Sequence, residues 1–113
     1  MDTDPDAQRC LVDRLHARLQ GQALGHAVEL IETHISWVLV TPTEAYKIKK
    51  AVNLGFVDQR EREVRRQACE TEVRLNRRTA PSLYLGVRGL DAQGQWVLPD
   101  AIEAVDHAVH MSF

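Results

Sequence analysis

Cysteine is scarce: Cys10 and Cys69 are the only two in the chain. They stand alone, without C-x-x-C spacing, so neither a zinc site nor a disulfide framework is supported, and idle thiols in a reducing compartment are the plain reading. An excess of one charge is also missing. The formal net charge of -2 gives no electrostatic case for nucleic acid or an anionic membrane. No apolar run approaches the ~20 residues of a membrane span, and the acidic, polar start is no signal peptide. The expected location is therefore cytoplasmic, with no membrane or nucleic-acid partner. Repeats and low-complexity linkers are absent, and His16, His26, His107 and His110 have no consistent metal spacing. His107 and His110 sit at an odd separation on one expected strand and so face opposite sides.

What is present suits one modest core: 113 residues, 44% hydrophobic and 27% charged. Asp4-Pro5-Asp6 is a helix start, with an N-cap acid, proline at the first helical position and a second acid near the positive end of the dipole. Leu11, Val12, Leu15 and Leu19 then share a face and Gly21 offers a stop, which predicts a helix over 5–20 within a helical extension, 1–26. This helix reads as a packing element.

From Ala27 the pattern turns to strands. Val28, Leu30 and Ile31, then Trp37 to Val40, then Ala45 to Lys50 after a Pro42-Thr43-Glu44 turn, are joined too closely for anything but an antiparallel meander. Asn53-Leu54-Gly55 breaks the sheet. Asp58, three residues before Glu61, reads as a capping box for a long helix over 59–79, which Ala80-Pro81 ends. Tyr84 to Leu90, a short Trp96-Val97-Leu98 and Val105 to Met111 complete the pattern. The expected fold class is α+β: an antiparallel sheet of about five strands, one long helix after the third strand, and the N-terminal helix.

Alternation puts Ala45, Lys47 and Lys49 on one face of the third strand. An alanine two residues before a lysine leaves room for an adenine ring while the ammonium reaches phosphates as a point charge. From the strand alone, a solvated lysine face on an edge strand is the favoured reading. On the long helix, Glu72 falls at the border of a Val64, Ala68 and Leu75 stripe expected to face the sheet. A carboxylate there wants a cation. Lys47 is the first candidate and Lys49 the second, with an arginine of the same helix as the alternative. Arg60, Arg62, Arg65, Arg66, Arg74, Arg77 and Arg78 make the helix basic. No aromatic residue is interleaved for base stacking, so a solvated, salt-bridge-laced face is favoured over an RNA-binding one. The Thr33-His34-Ile35-Ser36 link has no glycine, so a phosphate there would meet Ser36, Thr33 and backbone amides.

These segments together resemble a known family. T-H-I-S-W-V-L-V-T (33–41), A-Y-K-I-K-K (45–50), N-L-G-F-V-D (53–58) and C-E-T-E-V-R-L-N-R-R-T-A-P-S-L-Y-L-G-V (69–87) look like the N-terminal lobe of aminoglycoside-phosphotransferase-like proteins. The branch is the one often fused to a C-terminal P-loop ATP-binding domain, and the resemblance covers roughly 28–113. It implies a protein-kinase-like small lobe of five strands and one helix, nucleotide-binding over 27–113, with ATP and Mg2+ as cofactors. In that frame Lys47 is the phosphate-binding lysine and Glu72 the helix glutamate that pairs with it, with Lys49 beside them. Ser36 takes the place of a polar phosphate loop, Val38 and Ala45 form the adenine roof, and His110 to Phe113 lead to the hinge.

The catalytic aspartate and the Mg2+ ligands belong to a second lobe. The expectation is a truncated ATP-binding lobe, inactive alone, that transfers phosphate to a hydroxyl only with a catalytic lobe supplied. A separate catalytic lobe, a P-loop ATPase domain or a second copy docked on an exposed lobe interface are the expected partners. A non-catalytic protein-interaction module derived from the same lobe is the alternative.

Overall fold

The computed structural model describes residues 2–112; Phe113, named above for the hinge approach, lies outside them. Helix α1 spans Pro5–Gln22, and strands β1 (Glu29–Glu32), β2 (Ser36–Val40) and β3 (Glu44–Lys49) follow. Helix α2 (Arg62–Asn76) precedes β4 (Tyr84–Leu90), β5 (Trp96–Val97) and β6 (Asp106–Ser112). The strands form one antiparallel sheet in the order β1-β2-β3-β6-β4-β5. The fold class is thus α+β, with six strands rather than about five, because even the two residues of β5 pair with β4 through Gly89–Val97 and Leu90–Trp96.

The helices lie on opposite faces of the sheet. Helix α1 starts as its sequence dictates: the Asp4 carboxylate accepts from the Asp6 amide at 3.2 Å and Pro5 follows the cap. It runs through Gly21, however, because nothing there forces a stop. Its exit is set further on, where Leu24 and Gly25 take positive φ (50° and 91°) and the Gln20 side chain clasps the His26 carbonyl and the Val28 amide. Leu11, Val12, Leu15 and Leu19 pack onto Trp37, Leu39, Tyr46, Ile48, Leu90 and Ala108 as the main core. At about 1.5–3 kcal/mol for each large side chain buried, this face holds most of the apolar stabilisation.

Helix α2 differs from expectation at both ends and in rotation. Asp58 does not cap it. Its carboxylate bonds the Arg60 amide at 3.1 Å and the Arg60 guanidinium at 2.9 and 2.6 Å, a local turn that competes with helix. The amide of Thr3 also donates to the Arg60 carbonyl at 2.7 Å, which holds that segment extended. The helix therefore begins at Arg62, with Glu61 as an N-cap whose side chain makes no capping bond. It ends at Asn76, where turns over 75–80 take over. The buried stripe is Arg65, Cys69 and Val73, not Val64, Ala68 and Leu75; Leu75 is 47% exposed. Among the described residues, the apolar cluster on this side is small: Cys69, Val73 and Val109, flanked by Tyr84, Val87 and Met111. Polar contacts turn the helix.

Candidate functional site

Register decides which side chains meet. Strands β2 and β3 pair Ser36 with Lys49, Val38 with Lys47 and Val40 with Ala45. Directly opposed residues project to the same side, so all six share one face of the sheet. The intervening pairs, Trp37–Ile48 and Leu39–Tyr46, feed the α1 core on the other face. The face with the lysines is the one that α2 covers.

From α2, Glu72 reaches both lysines. Lys47 Nζ donates to Glu72 Oε2 at 2.9 Å and Lys49 Nζ to Oε1 at 2.7 Å. The arginine alternative for Glu72 is therefore not taken; Arg66 spends its guanidinium on Glu63 and Glu70 instead. Side-chain exposure is 15% for Glu72, 17% for Lys49 and 30% for Lys47, so Lys47 is the more open arm of the clamp. Burial pushes the Glu72 carboxyl up, but hydrogen bonds from Lys49 and Lys47 outweigh it and hold the group below the ordinary carboxylate range. Asn76 pins the same turn by donating to the Glu72 carbonyl at 2.8 Å.

A cleft of about 230 Å³ opens beside the lysines, lined by Ile35, Ser36, Lys47, Lys49, Leu54, Phe56, Val57 and Gln59. Of the residues singled out from sequence, Ser36, Lys47 and Lys49 meet in it and Glu72 stands behind the lysines. Val38 and Ala45 lie on the same sheet face but outside the cleft. The wall opposite the lysines was not anticipated. After β3 the chain folds a small hairpin: Leu54 and Gln59 amides bond the Val57 and Val52 carbonyls, and Asn53 bridges to Asp58. Its tip needs Gly55, at φ 87°, with the Asn53 side chain accepting from its amide at 2.9 Å. Asn-x-Gly between Val52 and Val57 was the available signal for this turn, and it reads at first only as a sheet breaker.

The arrangement joins two ammonium groups and a hydroxyl on one wall with apolar side chains on the other. One carboxylate shared between two lysines leaves a net positive charge, so the cleft suits an anion. The Thr33 hydroxyl accepts from the Ser36 amide at 3.1 Å and contacts its hydroxyl at 3.2 Å, so the β1–β2 link is braced by its own polar groups. His34 is exposed. Among the described residues, no group of three or more His, Cys, Asp or Glu side chains could hold a metal ion. Nor is any helix among them long and apolar enough to cross a membrane.

Two other buried polar groups escaped the sequence reading. Arg65 is 1% exposed and paired with Asp106, and Gln8 of α1 is 2% exposed and bonded to the same carboxylate. Nothing in spacing distinguishes Arg65 from the other arginines of its helix.

No protein-family model matches the chain, and no solved structure matches it. Similarity was found to an uncharacterized protein of Mycobacterium bovis and to uncharacterized proteins of two Mycobacterium tuberculosis strains, CDC 1551 and H37Rv. Each is 40% identical over 63 residues, which is 56% of this chain and 13% of the relative. The matched stretch thus spans a small part of the length of these relatives, and none of their names states an activity.

Proposed function

We propose that the chain is the ATP-binding small lobe of an aminoglycoside-phosphotransferase-like kinase. Phosphoryl transfer to a hydroxyl would then require a catalytic lobe, supplied in a longer protein or by a partner, and a P-loop domain is a further candidate partner. The observation that carries this reading is the clamp of Lys47 and Lys49 on Glu72, built from a strand lysine pair and a glutamate on the next helix. A lysine placed on phosphates and oriented by a helix glutamate is the positioning device that phosphoryl transfer uses. Glu72 holds both ammonium groups in place, so a polyphosphate can engage Lys47, the more exposed one, while Lys49 remains on the carboxylate.

The cleft fits this division of labour. At about 230 Å³ it is smaller than the roughly 300–1,000 Å³ of a complete small-molecule site. It has room for phosphates, with the adenine left to Val38 and Ala45 and to the second lobe. Bound ATP would supply the transferable phosphoryl group; the chain's residues bind and orient it. The Mg2+ ligands fall to the catalytic lobe in this proposal. A cytoplasmic location belongs to it as well, in keeping with two free thiols.

The test is calorimetric titration with Mg2+-ATP of the chain, and of a longer protein containing it, as wild type, Lys47→Ala and Glu72→Gln. The expected result is binding by the wild type, loss in Lys47→Ala and weakening in Glu72→Gln. Equal affinity in all three would remove the lysine clamp from the site. Absence of binding in both the chain and the longer protein would refute the nucleotide reading. That outcome would favour the non-catalytic interaction module, for which the exposed Phe56 (88%) and Ile102 (95%) speak.

A further inference from the structure

Strands β3 and β6 pair only from Glu44–Ser112 to Lys47–Val109. Beyond Lys47 they part, just where β3 carries Lys49. A side chain from the other face of the sheet enters the gap. Gln8 of α1 donates from Nε2 to the Lys49 carbonyl at 2.9 Å, and its Oε1 accepts from the Ala51 amide at 2.8 Å. One glutamine amide thereby supplies a donor and an acceptor to the backbone, as a neighbouring strand would.

The second Nε2 proton goes to Asp106 Oδ2 at 2.8 Å. Asp106, 1% exposed, also accepts from the His107 amide and from Arg65 Nε and Nη2, the latter two at 3.3 Å. Arg65 completes its set with the Gln59 and Arg60 carbonyls and the Thr3 hydroxyl. From Arg65 to Glu72 is seven residues along α2, two turns, which brings both onto nearly the same side of the helix. A continuous buried chain of hydrogen bonds therefore links the backbone of Lys49 to the helix that carries Glu72. Helix α1 supplies its central member.

We propose that Gln8 is a positioning residue for the lysine–glutamate clamp: it fixes the end of β3 under Lys49 and, through Asp106 and Arg65, the start of α2. Its role in nucleotide affinity rests on the function proposed above; its role in fixing Lys49 does not. Packing favours such a device. The apolar contact of α2 with the sheet is confined to a few side chains around Cys69 and Val73, so the helix depends on polar anchors at Arg65 and Glu72. Every polar atom of Gln8 is used, and a glutamine of this burial has no water to replace those partners.

The test compares Gln8→Met, close in volume but without the amide, with Leu19→Ala at the far end of the same helix face, chosen to lower Tm comparably. Three readouts are taken: amide hydrogen exchange at Ala51 relative to Leu39 in β2, the side-chain ammonium resonances of Lys47 and Lys49, and Mg2+-ATP affinity. In the wild type the Ala51 amide should be protected. Exchange there at the rate of an exposed amide overturns the proposal without any variant, including the case where Gln8→Met does not fold.

In Gln8→Met, Ala51 exchange should rise about tenfold or more relative to Leu39, the Lys49 ammonium signal should broaden, and Kd for ATP should rise about fivefold or more. Leu19→Ala should leave the exchange ratio and the ammonium signals as they are. Equal responses of the two variants in exchange ratio and ammonium signals would reduce Gln8 to a purely structural role and overturn the proposal. If the wild type binds no ATP, the nucleotide reading fails, and the exchange ratio and ammonium signals still decide the positioning of Lys49.

Discussion

Asp106→Ala should be among the most damaging single substitutions in this protein. The Arg65–Asp106 pair is sealed from water, with side-chain exposures of 1% and 2%. Removing one partner of such a pair costs about 3–5 kcal/mol, because the surviving charge is left buried and uncompensated. Arg65 would retain two backbone carbonyls and the Thr3 hydroxyl, which places the expected loss near the lower end, about 3 kcal/mol. Arg65→Leu should cost at least as much, about 3–5 kcal/mol, since it leaves the Asp106 carboxylate buried with only the Gln8 and His107 N–H donors and strips the Gln59 and Arg60 carbonyls of theirs. The double variant Asp106→Leu/Arg65→Leu removes both charges and should lose clearly less than the sum of the single losses. For a domain whose total stability is of order 5–15 kcal/mol, a loss of about 3 shifts the urea midpoint by a large fraction. Urea unfolding followed by circular dichroism measures all three. A single-variant loss below about 1 kcal/mol, or strict additivity in the double variant, would refute the claim that this pair anchors α2.

Three further outcomes follow from other contacts. Glu72 has its carboxyl held below the ordinary 4.5 in the folded state. The unfolded chain therefore binds that proton more tightly, and the stability the group contributes is whole above about pH 4.5 and lost as pH falls through the folded value. Carbon-detected titration should find Glu72 still ionised where exposed glutamates are half protonated, and its protonation in step with theirs would contradict the clamp. Cys69 is buried and its thiol is pushed up to about 12 by burial, whereas Cys10 is exposed; a thiol reagent at pH 8 should modify Cys10 quickly and Cys69 only after unfolding. In Gly89→Ala the new Cβ would meet the Leu98 carbonyl oxygen at 2.7 Å and Ala104 Cβ at 3.2 Å. Overpacking of this kind costs about 1–3 kcal/mol, or roughly 4 °C of Tm per kcal/mol, and an unchanged melting curve would show that β4 and the 98–104 loop separate freely.

How far the fold could be read depended on whether a residue's partner is set by period or by topology. The face shared by Ala45, Lys47 and Lys49 follows from strand alternation alone, and the apolar side of α1 from helical spacing. Pairing on a helix surface is also local: Arg66 meets Glu63 and Glu70 at the three- and four-residue separations a helix imposes. No arginine stands three or four residues from Glu72, and its partners Lys47 and Lys49 come from a strand more than twenty residues away, a result that required the tertiary fold.

Arg65 shows where periodicity ceases to inform. Treated as one of seven arginines on a basic helix, it belongs on the solvated side, and the apolar stripe then runs through Val64 and Leu75. Its actual partner, Asp106, lies 41 residues away, and Gln8 contacts that carboxylate across 98 residues. No local pattern encodes such separations, yet this one buried cluster rotates α2, exposes Leu75 and carries Glu72 from the border of the helix face into reach of both lysines. The geometry of the candidate site is therefore fixed by a polar contact outside it. Substitutions at Gln8, Arg65 and Asp106 should disturb the lysine clamp more than apolar substitutions of equal cost on the α1 face of the sheet.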